Sequence, residues 1–369
     1  MYSESDLEAA VGAGALTPAQ AAAFRHFIEA RRHMPVVDEE HFRLLTGFND
    51  IFVGIAAAIL LAAVGMIGYY VGPHIDTDGP TPFMGLFVAA TAWGLAEFFT
   101  LKRRMALPSI ILLLAFVGGV FATSAFTMIV SIGEDNLNSP QSAMMVLAAS
   151  AAIAAAAAWA HWRRFRVPIT VAAGAAALVA LVLGLVAMGF AAEDMTDAQV
   201  RTMQNAMEVG ALLLGIGVFL VAMRWDASDP TRETRRSDVA FWLHLLAAPL
   251  IVHPVFSLLG LTEGAASTLD AAAVILLYVV LGLVALAIDR RALLVSALAY
   301  VLFALNSLFQ NYGAVELSVA LTALVIGSAL LLLSAFWTTA RRAVVKPLPD
   351  GLKGRLPVLD RVAAVAVPA

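Results

Sequence analysis

The sequence contains no cysteine, so disulfides, thiolate metal sites and cysteine nucleophiles are excluded, and nothing indicates a redox compartment. Charge is also scarce. Asp, Glu, Lys and Arg make up 14% of the 369 residues and hydrophobic types 61%, with a mean hydropathy of +0.86, whereas soluble globular chains carry roughly 25% charged residues. No Walker loop, HExxH, GxSxG or EF-hand loop is present. Gly215-Ile216-Gly217 lies inside an apolar run and lacks the third glycine of a dinucleotide fingerprint. The arginine clusters are explained by membrane topology and the formal net charge is -4, so nucleic-acid binding has no support. No metal or cofactor site is expected.

Apolar runs are abundant. A membrane span needs about 20 apolar residues, and the chain reads as ten: about residues 51–71, 83–101, 109–132, 142–160, 169–191, 206–223, 239–260, 270–288, 292–311 and 317–337. The runs are continuous and lack the alternation of an outer-membrane barrel, so helices are predicted. The fold class is therefore all-α, a polytopic transmembrane bundle. It divides into a helical module over residues 1–46, a ten-helix domain over 47–340, and a loose basic, proline-containing tail over 341–369.

Orientation follows from the cations, which short cytoplasmic loops retain. Of 23 Lys and Arg residues, all but Arg201 fall on one side of such a ten-span arrangement. Lys102, Arg103 and Arg104 close the second span, Arg163, Arg164 and Arg166 the fourth, Arg224, Arg232, Arg235 and Arg236 the sixth, Arg290 and Arg291 the eighth, and Arg341, Arg342 and Lys346 the tenth. The opposite loops carry Asp76, Asp78, Glu134, Asp135, Glu193, Asp194, Asp197, Glu208, Glu263, Asp270 and Glu316. Both termini are expected in the cytoplasm of a bacterial cell whose inner membrane holds the chain. The polar first 46 residues show no cleavable signal peptide.

Four basic turns repeat one theme, a helix closing in a basic cluster before another apolar helix starts. EFFTLKRRMALPSI, WAHWRRFRVPIT and LAIDRRALLVSA show it most clearly. Small residues, among them Ala154 to Ala158, Gly174, Gly184 and Gly215, read as helix-packing faces. Near the N-terminus, Thr17-Pro18-Ala19-Gln20 forms a capping box with proline at the first helical position. It opens a helix that places Phe24, Phe27 and Ile28 on one face. A short helix over residues 6–11 precedes it, and an interfacial helix is expected over 38–48. This module is too small for a stable core of its own and is a candidate surface for a protein partner. The segment LEAAVGAGALTPAQAAAF, ahead of a many-spanned body, resembles the N-terminus of an uncharacterised family of bacterial inner-membrane proteins of unknown function. The resemblance implies a multi-pass inner-membrane protein and supplies neither an activity nor site residues.

Polar groups inside spans are costly and are functional candidates by default. Glu97 lies about 6 Å from the basic end of the second span, and His244 lies at a similar depth in the seventh. The two are placed to pair with each other, although Glu97 also has Lys102 and Arg103 in reach. His253 and Asn306 lie at one estimated level of the seventh and ninth spans, with Gln310 one turn beyond Asn306. Pro249 and Pro254 break the seventh helix and free carbonyls that can line a cavity. Thr123, Ser124 and Thr127 are expected to bond their own backbone. These features suggest a transporter or permease-like protein for a small solute or proton. The alternative is a membrane scaffold or signalling protein that binds partners through its module and tail. An intramembrane enzyme is disfavoured, because the acid, base and nucleophile groups do not converge.

Overall fold

The computed structural model describes residues 7, 10–31, 48–75, 78–133, 139–192, 195–230, 232, 234–261, 268–311, 317–354 and 356–359. It divides into two units, Arg43–Pro357 and a smaller one comprising Met1–Phe42 with Val358–Ala369. In the smaller unit α1 spans Pro18–Arg31. Its capping box is closed in both directions, with Thr17 N donating to Gln20 Oε1 at 2.9 Å and Gln20 N to Thr17 Oγ1 at 3.2 Å. Before it, Gly14 turns the chain with φ 74°. The expected interfacial helix lies outside the described residues over 38–47, as do the side chains of Phe27 and Ile28.

Among the described residues the larger unit holds ten helices long and apolar enough to cross a membrane, the second of them counted over Pro82–Lys102 with its π-helical end. They are α2 (Phe48–Tyr69), α3 (Pro82–Ala96), α4 (Ala106–Ile132), α5 (Pro140–Phe165), α6 (Ile169–Phe190), α7 (Asp197–Ala227), α8 (Arg235–Leu258), α9 (Thr268–Ile288), α10 (Ala292–Asn311) and α11 (Ser318–Ala335). No strand occurs among the described residues. The chain is an all-α, multi-pass integral membrane protein. The acidic residues 76, 134, 135, 193, 194, 263 and 316 of the outer turns lie outside the described residues.

The closest packing is within the hairpins α3–α4, α5–α6 and α7–α8, and α9 with α10 forms a fourth, less extensively packed one. Each pair is joined by one of the four basic turns. Small residues make the seams. A Cβ on Gly85 would lie 2.5 Å from the carbonyl oxygen of Gly119, and one on Gly215 would lie 2.8 Å from Leu250. Without a hydrophobic drive between helices in lipid, such backbone approach supplies the dispersion that holds them together. Thr123, Ser124 and Thr127 back-bond to the carbonyls of Gly119, Val120 and Thr123 at 2.7, 3.0 and 2.7 Å.

Each basic turn also contains one non-glycine residue in the left-handed region: Arg104, Arg166, Arg232 and Asp289, with φ of 54, 56, 55 and 57°. This conformation reverses the chain in few residues and presents the amide N–H to the last helical carbonyls, as Arg166 N does to Trp162 O at 3.1 Å. The four turns thus share a backbone device as well as a sequence theme.

Where the sequence suggests a loose tail, α12 (Trp337–Val345) and a short helical turn α13 (Asp350–Lys353) continue the larger unit. Trp337, Arg341 and Val345 are buried. Their spacing of four sets them on one helix face, and Arg341 Nη2 donates to Pro357 O at 2.6 Å.

Candidate functional site

The five sequence candidates separate into distinct places. Glu97 stands at the head of a π-helical turn, Glu97–Lys102, that ends the α3 span. Its carboxylate receives two bonds from one guanidinium, Arg164 Nε at 2.9 Å and Nη2 at 2.6 Å. The partner is therefore Arg164 on α5. Both side chains are partly exposed, at 35% and 48%, so the link is a tie between hairpins at the interface.

His244 is buried and pairs instead with Asp226, the second-last residue of α7, with Nε2 3.0 Å from Oδ2. Asp226 also accepts from Arg290 Nη2 at 2.5 Å and Nε at 3.3 Å. Arg290 Nη2 further donates to Ser237 O, near the start of α8, at 3.2 Å. The side chains of Asp226, His244 and Arg290 are each no more than 4% exposed. A buried carboxylate is tolerable only when its desolvation is offset by such charged and polar partners. Among the described residues the Nδ1 of His244 has no hydrogen-bond partner, which leaves one nitrogen of a buried, carboxylate-linked imidazole uncommitted there.

Beside this triad sits a second carboxylate. Asp289 Oδ2 accepts from Arg232 Nη1 and Oδ1 from Trp337 Nε1, both at 2.8 Å, while Arg232 Nη2 reaches the carbonyls of Ile288 and Asp289 at 3.3 and 3.2 Å. Two left-handed turn residues thereby clamp one another. Asp229 extends the lattice by accepting from the backbone N–H and hydroxyl of Thr234 at 2.9 and 2.7 Å. The basic ends of α7 to α10 and the start of α12 are thus joined through two buried carboxylates.

His253 lies farther along α8. Its Nδ1 shares a 2.5 Å hydrogen bond with the hydroxyl of Tyr300 on α10, and its Nε2 lies 3.5 Å from Glu208 Oε1 on α7. The imidazole is 58% exposed and Glu208 21%. Tyr300 is held by stacking on Phe256, centroids 4.3 Å apart. The group that meets His253 is thus Tyr300, six positions before Asn306. Counting from span starts assumes that both helices begin at one level, but α8 begins at Arg235 and carries extra polar residues beyond the apolar run. Asn306 is partly buried with no partner at Oδ1 among the described residues, and Gln310 is exposed.

Several residues of these clusters are absent from the sequence candidates. Asp226 and Asp289 are acids set among arginines on the side where cations were counted, and that anomaly is the signal that identifies them. Glu208 belongs to helix α7 instead of an outer loop. His161 is fully buried against Trp93, Phe116 and Phe165. Its Nδ1 is 3.2 Å from Thr170 Oγ1, and its Nε2 has no partner.

Two His–carboxylate pairs therefore bridge the same helices, α7 and α8. On α7 the carboxylates are 18 residues apart, about 27 Å; on α8 the imidazoles are nine apart, about 14 Å. Pro249 and Pro254 lie inside α8 on either side of the second imidazole; the helix expected to break there runs uninterrupted from Arg235 to Leu258. Chemically, each pair joins an imidazole to a carboxylate across the hairpin. Comparison with family models, curated proteins and solved structures gives no match.

Proposed function

We propose that this protein is a transporter or permease-like protein that moves a small solute or protons along the α7–α8 hairpin, with Glu208–His253–Tyr300 and Asp226–His244–Arg290 as its two polar stations. The observation that carries this reading is the pair of ionisable His–carboxylate contacts at two levels of one helix hairpin. Ionisable groups inside spans are expensive and recur in proton relays. Pro249 and Pro254 inside α8, between and beside such groups, have no N–H to donate and so leave helix carbonyls free. The segregation of cations supports a placement with both termini in the cytoplasm of a bacterial cell.

Purified protein reconstituted into liposomes with an entrapped pH-sensitive dye tests this directly. An imposed pH gradient should collapse faster than in empty liposomes. His253→Leu and Glu208→Gln should each abolish the excess rate while leaving elution and thermal unfolding of the protein unchanged. No excess flux across an applied pH gradient and membrane potential would overturn the reading. It would favour the alternative, a non-catalytic scaffold whose N-terminal module binds a partner.

A further inference from the structure

An apolar groove opens between α10 and α11 at the basic end of the bundle. Its cavity volume is about 130 Å³, and it is lined by Arg291, Leu294, Val295 and Leu298 on one side and Leu330, Leu333, Ser334 and Trp337 on the other. Both sets follow the i, i+3, i+4, i+7 spacing of a single helix face. The lining extends seven residues from Arg291, about 10 Å toward the middle of the span. Leucines line the deep end, and Arg291 with Ser334 and Trp337 lines the mouth.

The cation at that mouth is placed by an aromatic ring. Arg164, Arg232 and Arg290 are each bonded to a carboxylate, whereas among the described residues the Arg291 guanidinium has none. It lies 4.7 Å from the ring centroid of Trp337. That ring is fixed, because Trp337 is buried and its indole N–H is committed to Asp289. Arg291 also directly precedes α10 (Ala292–Asn311), so the free N–H groups at the start of that helix add positive potential at the same point. A positioned cation above an apolar slot complements an amphiphile with an anionic head. At this level of a membrane-spanning bundle, the molecules supplied to the slot are the lipids of the leaflet.

We infer that the α10–α11 groove is a binding site for an anionic phospholipid of the leaflet at the basic end, with the phosphate on Arg291 and an acyl chain against Leu294, Leu298, Leu330 and Leu333. The inference requires only that the chain is membrane-embedded and does not depend on the transport reading. Guanidinium–phosphate bonds are charge-assisted and bidentate, while the stacked tryptophan limits the conformational freedom that binding must remove.

The test uses the full chain in detergent, with native mass spectrometry after addition of dioleoyl phosphatidylglycerol or dioleoyl phosphatidylcholine, and thermal unfolding with inorganic phosphate as a separate arm. Phosphatidylglycerol should remain bound and phosphatidylcholine should not. Arg291→Gln should weaken retention about tenfold, Arg291→Lys should keep part of it, and Leu298→Trp should lose it by filling the slot. Arg342→Gln should behave as wild type. Equal retention of both lipids, or unchanged retention in Arg291→Gln and Leu298→Trp, would overturn the site. Stabilisation by inorganic phosphate alone, equal to that by phosphatidylglycerol, would overturn the lipid assignment in favour of a free-anion site. If Arg291→Gln fails to fold, the Leu298→Trp and Arg291→Lys arms decide.

Discussion

Asp226 is held in the interior by two partners that need it as much as it needs them. Replacing it by leucine would leave the buried Arg290 guanidinium without this carboxylate, a change that costs about 3–5 kcal/mol. Asp226→Leu should therefore lower the denaturation midpoint of the purified protein strongly. Asp226→Leu with Arg290→Met, which removes both charges, should recover most of the loss. Equal destabilisation by the single and double changes would show that the ion pair is not what stabilises this end of the bundle. The cluster was only half legible in the sequence. His244 stands out as an imidazole in an apolar run, but its partner does not, because orientation rules count Lys and Arg and give Asp and Glu little weight. Asp226 and Asp289 are hidden by the basic residues around them. His161 is hidden for another reason: it lies one residue beyond the span assigned from hydropathy, although the helix continues through it to Phe165.

At the scale of elements, the four turns with one left-handed residue each permit a comparison of sign. Arg104 is exposed, and among the described residues its side chain has no hydrogen bond or ion pair, so its left-handed backbone is a cost with no side-chain return. Arg104→Gly should stabilise the protein by about 0.5–1 kcal/mol, because glycine adopts φ > 0 without the Cβ clash. Arg232 has the same φ but holds Asp289 through its guanidinium, so Arg232→Gly should destabilise. Thermal unfolding of both variants in one detergent checks the pair, and shifts of the same sign would refute the argument. The ten spans themselves were legible, since continuous apolar runs of that length have few alternatives. Their ends were less so. α7 begins at Asp197, well before the apolar run, because Thr196 and Gln199 close a capping box that lets a polar stretch stay helical. α12 was missed because prolines and arginines read as a loose tail, while burial of Trp337 and Arg341 is a tertiary effect that no local pattern announces.

For the whole molecule, even span number and segregated charge make one linked prediction. With ten helices of spanning length, the segment before α2 and the segment after α11 must share a side. The basic turns, after α3, α5, α7 and α9, must share that side too, since each lies two spans from the next. The positive-inside bias predicts that this shared side is the cytoplasm. A phosphatase active only outside the cytoplasm should be inactive when fused after Ala343 and active when fused within the α2–α3 turn. Asp78→Cys, in a chain with no native cysteine, should react with an impermeant maleimide added to intact cells. Arg104→Cys should react only after the membrane is opened. The two cysteine positions are separated by a single span, α3, so any pairing of labels other than one outside and one inside would show that α3 does not cross. Reversal of both labels would keep the ten-helix fold and overturn its orientation, and would put the leaflet that meets the Arg291 groove on the outer side.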